Sequence, residues 1–531
     1  MTDLVAPSPA RVAVRRLRAG VGAGGHAGTG VAAGATAIVA AGALLRAWNL
    51  THQSLWYDEA VTRYLLGGTT GQLLTALPRA ESTPPLYYLV AWGWTHLFGD
   101  TALGLRSLSA VAGTAVVGVA FAAGRTLAGV RTGLIAAALV AVNPLLVWYS
   151  QEARSYSLLT LATATSLWLY ARARAEPSRG RLIAWACVGS LALATHYFAA
   201  FVVGAEALLV LADRRSPLRW RAGAAGAVGA VALSLVALAL RQSARHYWFA
   251  DIPLPRRILD IPAQFMTGFE PASRPLAVVV AAAIVTCSLM LLAARAGAVE
   301  RRGAALAGGI GIAATALPAA AALLGADYLN TRNVIGGLVP LAVAVAAGLA
   351  APRAGPVGVA ATGLAAVVSV ALVATMAGDP AGQRPDWHAV AAALARPALP
   401  RAVLLRGSTT WGRPLAAYLP ETWWVPPRGA AVRELDVVRR LPSRARCPSR
   451  SWWGLACAIA PGAPLRAAPA GFALRSTRRV AGFEVARYRA ARPRRLYAHW
   501  PYEHFGPPDR LPAYYRHRKL LLTPTAPPVL P

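Results

Sequence analysis

The sequence predicts an α-helical polytopic membrane protein with a small C-terminal α/β domain. Three observations lead there. Of 531 residues, 56% are hydrophobic and only 14% charged, with a mean hydropathy of +0.44, too apolar for a soluble chain of this length. The apolar residues gather into runs near 29–47, 103–124, 132–149, 155–171, 182–195, 198–212, 222–240, 275–294, 303–323, 334–351 and 355–376, most of them close to the roughly 17–25 residues a spanning helix needs. The arginines cluster in the short connections between these runs, as the topology of membrane helices requires. About 11 transmembrane helices result.

Residues 1–28 carry Arg11, Arg15, Arg16 and Arg18 ahead of a Gly/Ala-rich run. No compact signal peptide with a cleavage site stands out, so the reading is a basic cytoplasmic tail and an uncleaved first helix. The transmembrane domain covers 29–376, with a first outer loop at 48–102. Within that loop, the stretch from Pro84-Pro85 to Phe98 is brief and rich in Tyr87, Tyr88, Trp92 and Trp94. Such aromatics favour the interface, which makes 84–98 a juxtamembrane helix rather than a span. Charge tests that choice. With the N-terminus inside, Arg125, Arg131, Arg172, Arg174, Arg214, Arg215, Arg301, Arg302 and Arg353 fall in inner loops, while Asp58, Glu59, Glu81, Glu152, Asp251, Asp260, Glu270 and Asp327 fall outside. One further span would invert everything after Arg125.

The last span then exits outward at the plasma membrane and leaves the C-terminal part extracytoplasmic. Pro385-Asp386-Trp387 begins an amphipathic helix, and Ala402 to Gly407 reads as a buried strand ending in a turn. Phe483 to Tyr488 alternates as another strand. A small α/β domain over 377–491 follows, and 492–531 is a Pro-, Arg- and Tyr-rich tail expected to be poorly ordered. Cys187 and Cys287 sit in apolar runs as small hydrophobes. Cys447 and Cys457 are candidates for a disulfide on the outer face, the alternative being two free thiols.

The formal charge of +32 does not signal a nucleic-acid partner. It is carried by arginines in loops, the single lysine being Lys519, and no nucleic-acid motif accompanies it. The chemistry-bearing residues lie elsewhere. Asp58-Glu59, directly after the first apolar run, would cost at least about 2.5–3.5 kcal/mol if either faced hydrocarbon. Glu81 closes the same loop; Gln151-Glu152-Ala153-Arg154-Ser155-Tyr156 and Asp327-Tyr328-Leu329-Asn330-Thr331-Arg332 emerge on the same face. Arginines such as Arg154 and Arg332 clamp phosphate through paired, charge-assisted bonds. A carboxylate takes the proton of an attacking hydroxyl, and the arginines hold the charge that develops on the leaving phosphate. Plainer roles compete: a helix cap for Asp58-Glu59, snorkelling for Arg154 and Arg332, and a solvated loop position or a partnership with Arg154 for Glu152. His388 reads as structural, and loop 242–274, with Trp248, Phe249 and Arg256-Arg257, as a wall of an acceptor cleft.

The segments Leu55-Trp56-Tyr57-Asp58-Glu59-Ala60, Pro84-Pro85-Leu86-Tyr87-Tyr88, Gln151 to Tyr156 and Tyr328 to Arg332 resemble, in order, the signatures of the GT-C glycosyltransferase superfamily. They are most similar to bacterial protein O-mannosyltransferase-like and aminoarabinose-transferase-like enzymes of glycosyltransferase family 39 type. The resemblance spans roughly residues 30–400 and implies an inverting enzyme that draws on a polyprenyl-phosphate sugar at the outer face. Carried across, Asp58 is the catalytic carboxylate, Glu59 its support, Glu81 the second acidic member, and Arg154, Tyr156 and Arg332 the donor-phosphate residues. Tyr87, Tyr88, His196, Tyr197 and Tyr328 are candidate substrate-lining residues. Relatives often carry Asp or His near the double proline, where this chain has Glu81-Ser82-Thr83; a divalent metal held by Asp58 and Glu81 therefore stays open. The expected partners are membrane lipid, the lipid-linked donor, and an acceptor that is a protein, a glycolipid or a cell-wall glycan. Two other classes compete: a transporter or flippase of lipid-linked glycans, and a non-catalytic envelope assembly protein. The mid-span charges and repeated halves expected of the first do not stand out, the most telling charges sitting at span ends on one face.

Overall fold

The structure is a computed structural model that describes residues 29–243, 252–269, 274–378, 383–395, 397–406, 412–419, 423–424, 428–441, 468–497 and 520–523. The N-terminal tail, the Cys447 and Cys457 pair, and Trp248 and Phe249 lie outside these residues.

Every apolar run read from the sequence is helical. Helix α1 (Thr29–Ala47) leads to a first loop with three short helices, α2 (Tyr57–Leu66), α3 (Thr70–Ala80) and α4 (Leu86–Phe98). Then come α5 (Ala102–Ala128), α6 (Val130–Val142), α7 (Pro144–Ser150), α8 (Tyr156–Ala175), α9 (Arg179–Thr195), α10 (Ala199–Ala212) and α11 (Leu218–Ser243). The bundle closes with α12 (Leu254–Thr267), α13 (Arg274–Ala294), α14 (Ala298–Leu323), α15 (Leu338–Leu349) and α16 (Pro356–Gly378). The protein is a multi-pass membrane protein. Among the described residues, length and apolarity qualify six helices as spans, or seven if the α6–α7 pair counts as one. Helix α8 misses that measure because Ser157, Thr160, Thr163 and Ser166 dilute its hydropathy. All four are buried against other helices rather than facing lipid. Helices α1, α11, α13 and α16 instead expose leucines and valines such as Leu44, Leu233, Leu240, Leu276, Val279, Val359 and Val367, the surface a bilayer would cover.

The run at 132–149, expected as one helix, is two helices bent by 60°. Pro144 cannot continue an α-helix but is accepted at its first turn. Asn143 starts the new helix by accepting from the Leu146 amide at 3.0 Å, and donates to the Phe265 carbonyl at 2.8 Å. Small residues let the helices approach closely, as in membrane bundles generally. At Gly348 of α15 a Cβ would stand 2.2 Å from the Ser288 carbonyl of α13, and at Gly113 of α5 it would stand 2.0 Å from Ser150 Oγ of α7.

The 84–98 stretch is the short helix α4, started by Pro85 and anchored by Trp92 Nε1 to the Gly68 carbonyl and Trp94 Nε1 to Ser107 Oγ, each at 2.9 Å. Its inner face, Tyr87, Tyr88 and Ala91, packs in one core with Val61 and Leu65 of α2.

Beyond α16 lies a mixed sheet. Helices α17 (Trp387–Leu394) and α18 (Gly412–Ala416) accompany strands β1 (Arg401–Arg406), β2 (Trp423–Trp424), β3 (Ala430–Arg440), β4 (Ala473–Val480), β5 (Phe483–Leu496) and β6 (Leu520–Thr523), in the order β2-β6-β1-β3-β5-β4. Among the described residues only the β1–β3 pair is parallel. The side chains alternate between two faces. Val403, Leu405, Val438 and Val485 pack on Trp387, Val390 and Leu394 of α17, while Ala402, Leu404, Leu435, Val437 and Tyr488 form the other core. The expected strands are present, but the sheet does not stop at 491. β5 continues across Arg492-Pro493 because Ala430, Ala431 and Val432 still pair with Leu496, Arg495 and Arg494, and β6 pairs with both β1 and β2.

Candidate active site

The acidic and basic clusters converge between α2, α5, the α7–α8 turn, the α14–α15 connection and the segment before α17. Four carboxylates and four arginines meet there, and they are not equivalent.

Glu59 lies in the first turn of α2, where an acidic side chain suits the helix dipole. It is fully buried and saturated. Arg106 donates to it through Nε and Nη2, both at 2.7 Å; Arg384 donates through Nη1 at 3.0 Å and the Ala153 amide at 2.9 Å. Burial alone would raise its pKa, but the charges of Arg106 and Arg384, with the Arg106 and Ala153 hydrogen bonds, bring it down to about 2. Arg106 also holds the preceding loop through the Leu50 carbonyl at 2.9 Å, the Gln53 carbonyl at 2.8 Å and the Ser54 carbonyl at 3.2 Å.

Glu81, at the end of α3, is gripped by Arg154 through two parallel bonds, Nη1 to Oε1 at 2.6 Å and Nη2 to Oε2 at 2.9 Å. Arg154 Nη1 also reaches Tyr88 OH at 2.9 Å. Burial opposes the charge on Arg154, but Glu81 beside it keeps the guanidinium pKa well above its ordinary value. Its snorkelling alternative is therefore set aside: the head group is buried in protein, not turned to lipid headgroups. Burial likewise pushes the Tyr87 and Tyr88 hydroxyls up, so both stay protonated.

Glu152 corrects an expectation. It is neither a solvated loop residue nor a side-chain partner of Arg154; it is buried and pairs with Arg384 Nη2 at 2.8 Å. Its other oxygen, Oε1, is buried and makes no hydrogen bond. Burial holds its pKa up at about 7 against the pull of Arg384, with Glu59 and Asp58 adding to the rise. Arg384 also lies over two aromatic rings, 5.4 Å from that of Trp56 and 5.0 Å from that of Trp148.

Asp58 differs from the other three. Its partner is Arg332, Nη1 to Oδ2 at 3.1 Å, and its side chain keeps 20% of its surface exposed, against 0%, 7% and 2% for Glu59, Glu81 and Glu152. Arg332 lies 5.7 Å from the Tyr156 ring. Opposed by burial and assisted by Tyr156 and Asp58, the guanidinium stays firmly charged, with its pKa above the ordinary value.

Around this centre, burial and then the charges of Arg154 and Arg332 press His196 down to about 3, so it is a neutral ring whose Nδ1 accepts from the Phe198 amide at 3.2 Å. Tyr197 bonds Gln242 at 2.7 Å, and Gln242 reaches the Thr83 carbonyl at 3.3 Å. The Tyr328 carbonyl accepts from Asn333 Nδ2 at 2.9 Å. In loop 242–274, Arg257 binds Asp327 and, at 2.8 Å, the Leu329 carbonyl, so it braces the Arg332 loop. Asp58 and Glu81 do not fit a metal site: Arg154 covers both Glu81 oxygens. Among the described residues, no group of three or more His, Cys, Asp or Glu side chains is placed to hold one.

Sequence reasoning named Asp58, Glu59, Glu81, Arg154, Tyr156 and Arg332 but missed Arg106 and Arg384. An arginine inside an apolar run is itself a functional signal, which would have found Arg106. Arg384, next to Pro385-Asp386-Trp387, carried none.

Residues 82–240 match the family model for dolichyl-phosphate-mannose-protein mannosyltransferases. Among solved structures, ArnT from Cupriavidus metallidurans in the apo state matches with a TM-score of 0.52 at 15% identity, over 87% of this chain and 98% of that one. The same protein bound to undecaprenyl phosphate gives 0.49 at 13% identity, over 85% and 97%. The oligosaccharyltransferase AglB from Archaeoglobus fulgidus, in complex with an inhibitory peptide and a dolichol-phosphate, gives 0.40 at 15% identity over 67% and 57%. Comparison with curated proteins finds no match. The chain thus shares the ArnT fold over 87% of its length, and residues 82–240 within that fold match the mannosyltransferase family model.

Proposed function

We propose that the protein transfers a sugar, mannose or a similar one, from a polyprenyl-phosphate donor to a hydroxyl-bearing acceptor on the extracytoplasmic face. One observation carries the assignment of roles: of four clustered carboxylates, Asp58 alone keeps appreciable exposure, and it stands opposite Arg332. Glu59, Glu81 and Glu152 are buried in ion pairs that hold the site together. Asp58 takes the proton of the acceptor hydroxyl as its oxygen bonds to the anomeric carbon. The bond from that carbon to the phosphate oxygen breaks, and the polyprenyl phosphate departs carrying its charge toward Arg332, with Arg154 behind it. Attack opposite the leaving group inverts the anomeric centre. Tyr156, under Arg332, orients that guanidinium. Tyr197 and Tyr328, both partly exposed, line the approach, while Tyr87, Tyr88 and neutral His196 are buried.

The N-terminus is cytoplasmic in this reading, and the sheet domain stands outside. The donor description of the matching family, dolichyl-phosphate-mannose, supports a lipid-linked sugar. The test is donor binding and turnover in Asp58→Asn. The expected result is retained donor binding with turnover down about 10²–10⁴-fold. A variant that still turns over at the wild-type rate would remove Asp58 from its role. Movement of intact lipid-linked glycan across vesicles without transfer would favour a transporter.

A further inference from the structure

We propose that Arg384 is a positioning residue for the transfer: reaching back from the segment that leads into the sheet domain, it ties Glu59 to Glu152 and so fixes Asp58 opposite Arg332. This rests on the reading of Asp58 above.

The geometry is a clamp with several fingers. Arg384 places Nη1 on Glu59 at 3.0 Å and Nη2 on Glu152 at 2.8 Å, joining α2 to the turn between α7 and α8. Its amide donates to Gln53 Oε1 at 3.2 Å. Two residues on, Asp386 accepts from Ser54 Oγ at 2.9 Å while capping α17 through the Ala389 amide, and the His388 amide donates to Ser54 Oγ at 3.0 Å. Just after α18, Tyr418 OH accepts from the Leu55 amide at 2.7 Å, and the Ala417 carbonyl accepts from Arg63 at 2.7 Å. The loop from Leu50 to Trp56 is thus held from two sides: Arg106 of the bundle grips its backbone carbonyls, and residues of the C-terminal part grip the Gln53 and Ser54 side chains and the Leu55 amide. Asp58 lies in the first turn of α2 directly after that loop, beside Glu59, so a shift of the loop moves the reacting oxygen. A misplacement of about 1 Å costs on the order of a hundredfold in rate. The sheet domain, otherwise remote from the chemistry, becomes part of the active site through these contacts.

The groups facing Glu152 are Asp58 and Glu59 on α2, Arg332 and Arg384. Removing Arg384 alone strands a buried charge, so the informative variant is Arg384→Gln with Glu152→Gln, alongside Arg384→Lys. The full-length protein is compared with wild type and with Asp58→Asn. The expected result for the double variant is wild-type melting, donor KM within about twofold, and kcat down on the order of a hundredfold. The amides of Leu50 to Tyr57 should also exchange faster with deuterium. Arg384→Lys, which keeps the charge, should recover part of kcat. Wild-type kcat in the double variant would overturn the proposal by reducing Arg384 to a counter-charge for Glu152. So would a rise in KM at unchanged kcat, which would make Arg384 a donor-binding group. Amide exchange reads the clamp without reference to activity: faster exchange with full turnover in Asp58→Asn would leave the clamp standing and sink the reading of Asp58 instead.

Discussion

Replacing Glu59 with Gln isolates the energy stored under the active-site loop. The carboxylate is fully buried, accepts three bonds from Arg106 and Arg384, and a fourth from the Ala153 amide. Its pKa is held at about 2 where 4.5 is ordinary. At about 1.4 kcal/mol for each tenfold change in proton affinity, that difference corresponds to about 3 kcal/mol of preference for the charged form in the folded chain. Breaking a buried ion pair from one side costs about 3–5 kcal/mol, so the two routes agree. Glu59→Gln should therefore melt several degrees below wild type in detergent at pH 7, whereas Asp58→Asn, at a partly exposed position, should melt close to wild type. The sign with pH is fixed. A depressed pKa gives stability that is present above about 4.5 and lost as pH falls toward 2. The gap between wild type and Glu59→Gln should close over that interval. Equal melting at pH 7 would refute the view that Glu59 anchors the loop.

Three further outcomes follow from the same geometry. Arg154→Lys keeps the charge but loses the paired grip on Glu81 and the bond to Tyr88; at about 1.5–3 kcal/mol for a charged hydrogen bond, transfer should fall roughly ten- to a hundredfold in a steady-state assay. Glu152 has its pKa raised to about 7, so it charges as pH rises through neutrality and the cost of its buried charge appears there. The wild-type pH profile should show an inflection near that value, and Glu152→Gln should lack it. Gly113→Ala drives a methyl into Ser150 on the helix that leads to Glu152 and Arg154. It should cost about 1–3 kcal/mol and lower activity, while Gly93→Ala, with open space at its Cβ, should leave both unchanged by the same melting and transfer measurements.

What the sequence made legible was set by local rules. Apolar runs mark helices because a chain in lipid must satisfy its own backbone, and every run is helical here, the one at 132–149 as two helices. The acidic and arginine motifs could be read because charges beside apolar runs are costly and so stand out. The bend at Asn143-Pro144 was also written locally, in a capping side chain followed by proline, but a continuous apolar run masked it. Long-range pairing was not legible. Nothing near Arg384 in sequence shows that it will meet Glu59 and Glu152, 325 and 232 residues away. Glu152 looked solvated because the partner it meets in the interior, Arg384, lies 232 residues further along the chain. The extension of β5 past Pro493 escaped for the same reason: its partners on β3 lie more than sixty residues earlier.

The most direct test is transfer of labelled sugar from a panel of polyprenyl-phosphate sugars into membranes containing either wild type or Asp58→Asn. Label incorporated by the wild type from one donor, and lost with Asp58→Asn, is the predicted result. Equal incorporation by both proteins would contradict the central claim that Asp58 is the carboxylate that activates the acceptor.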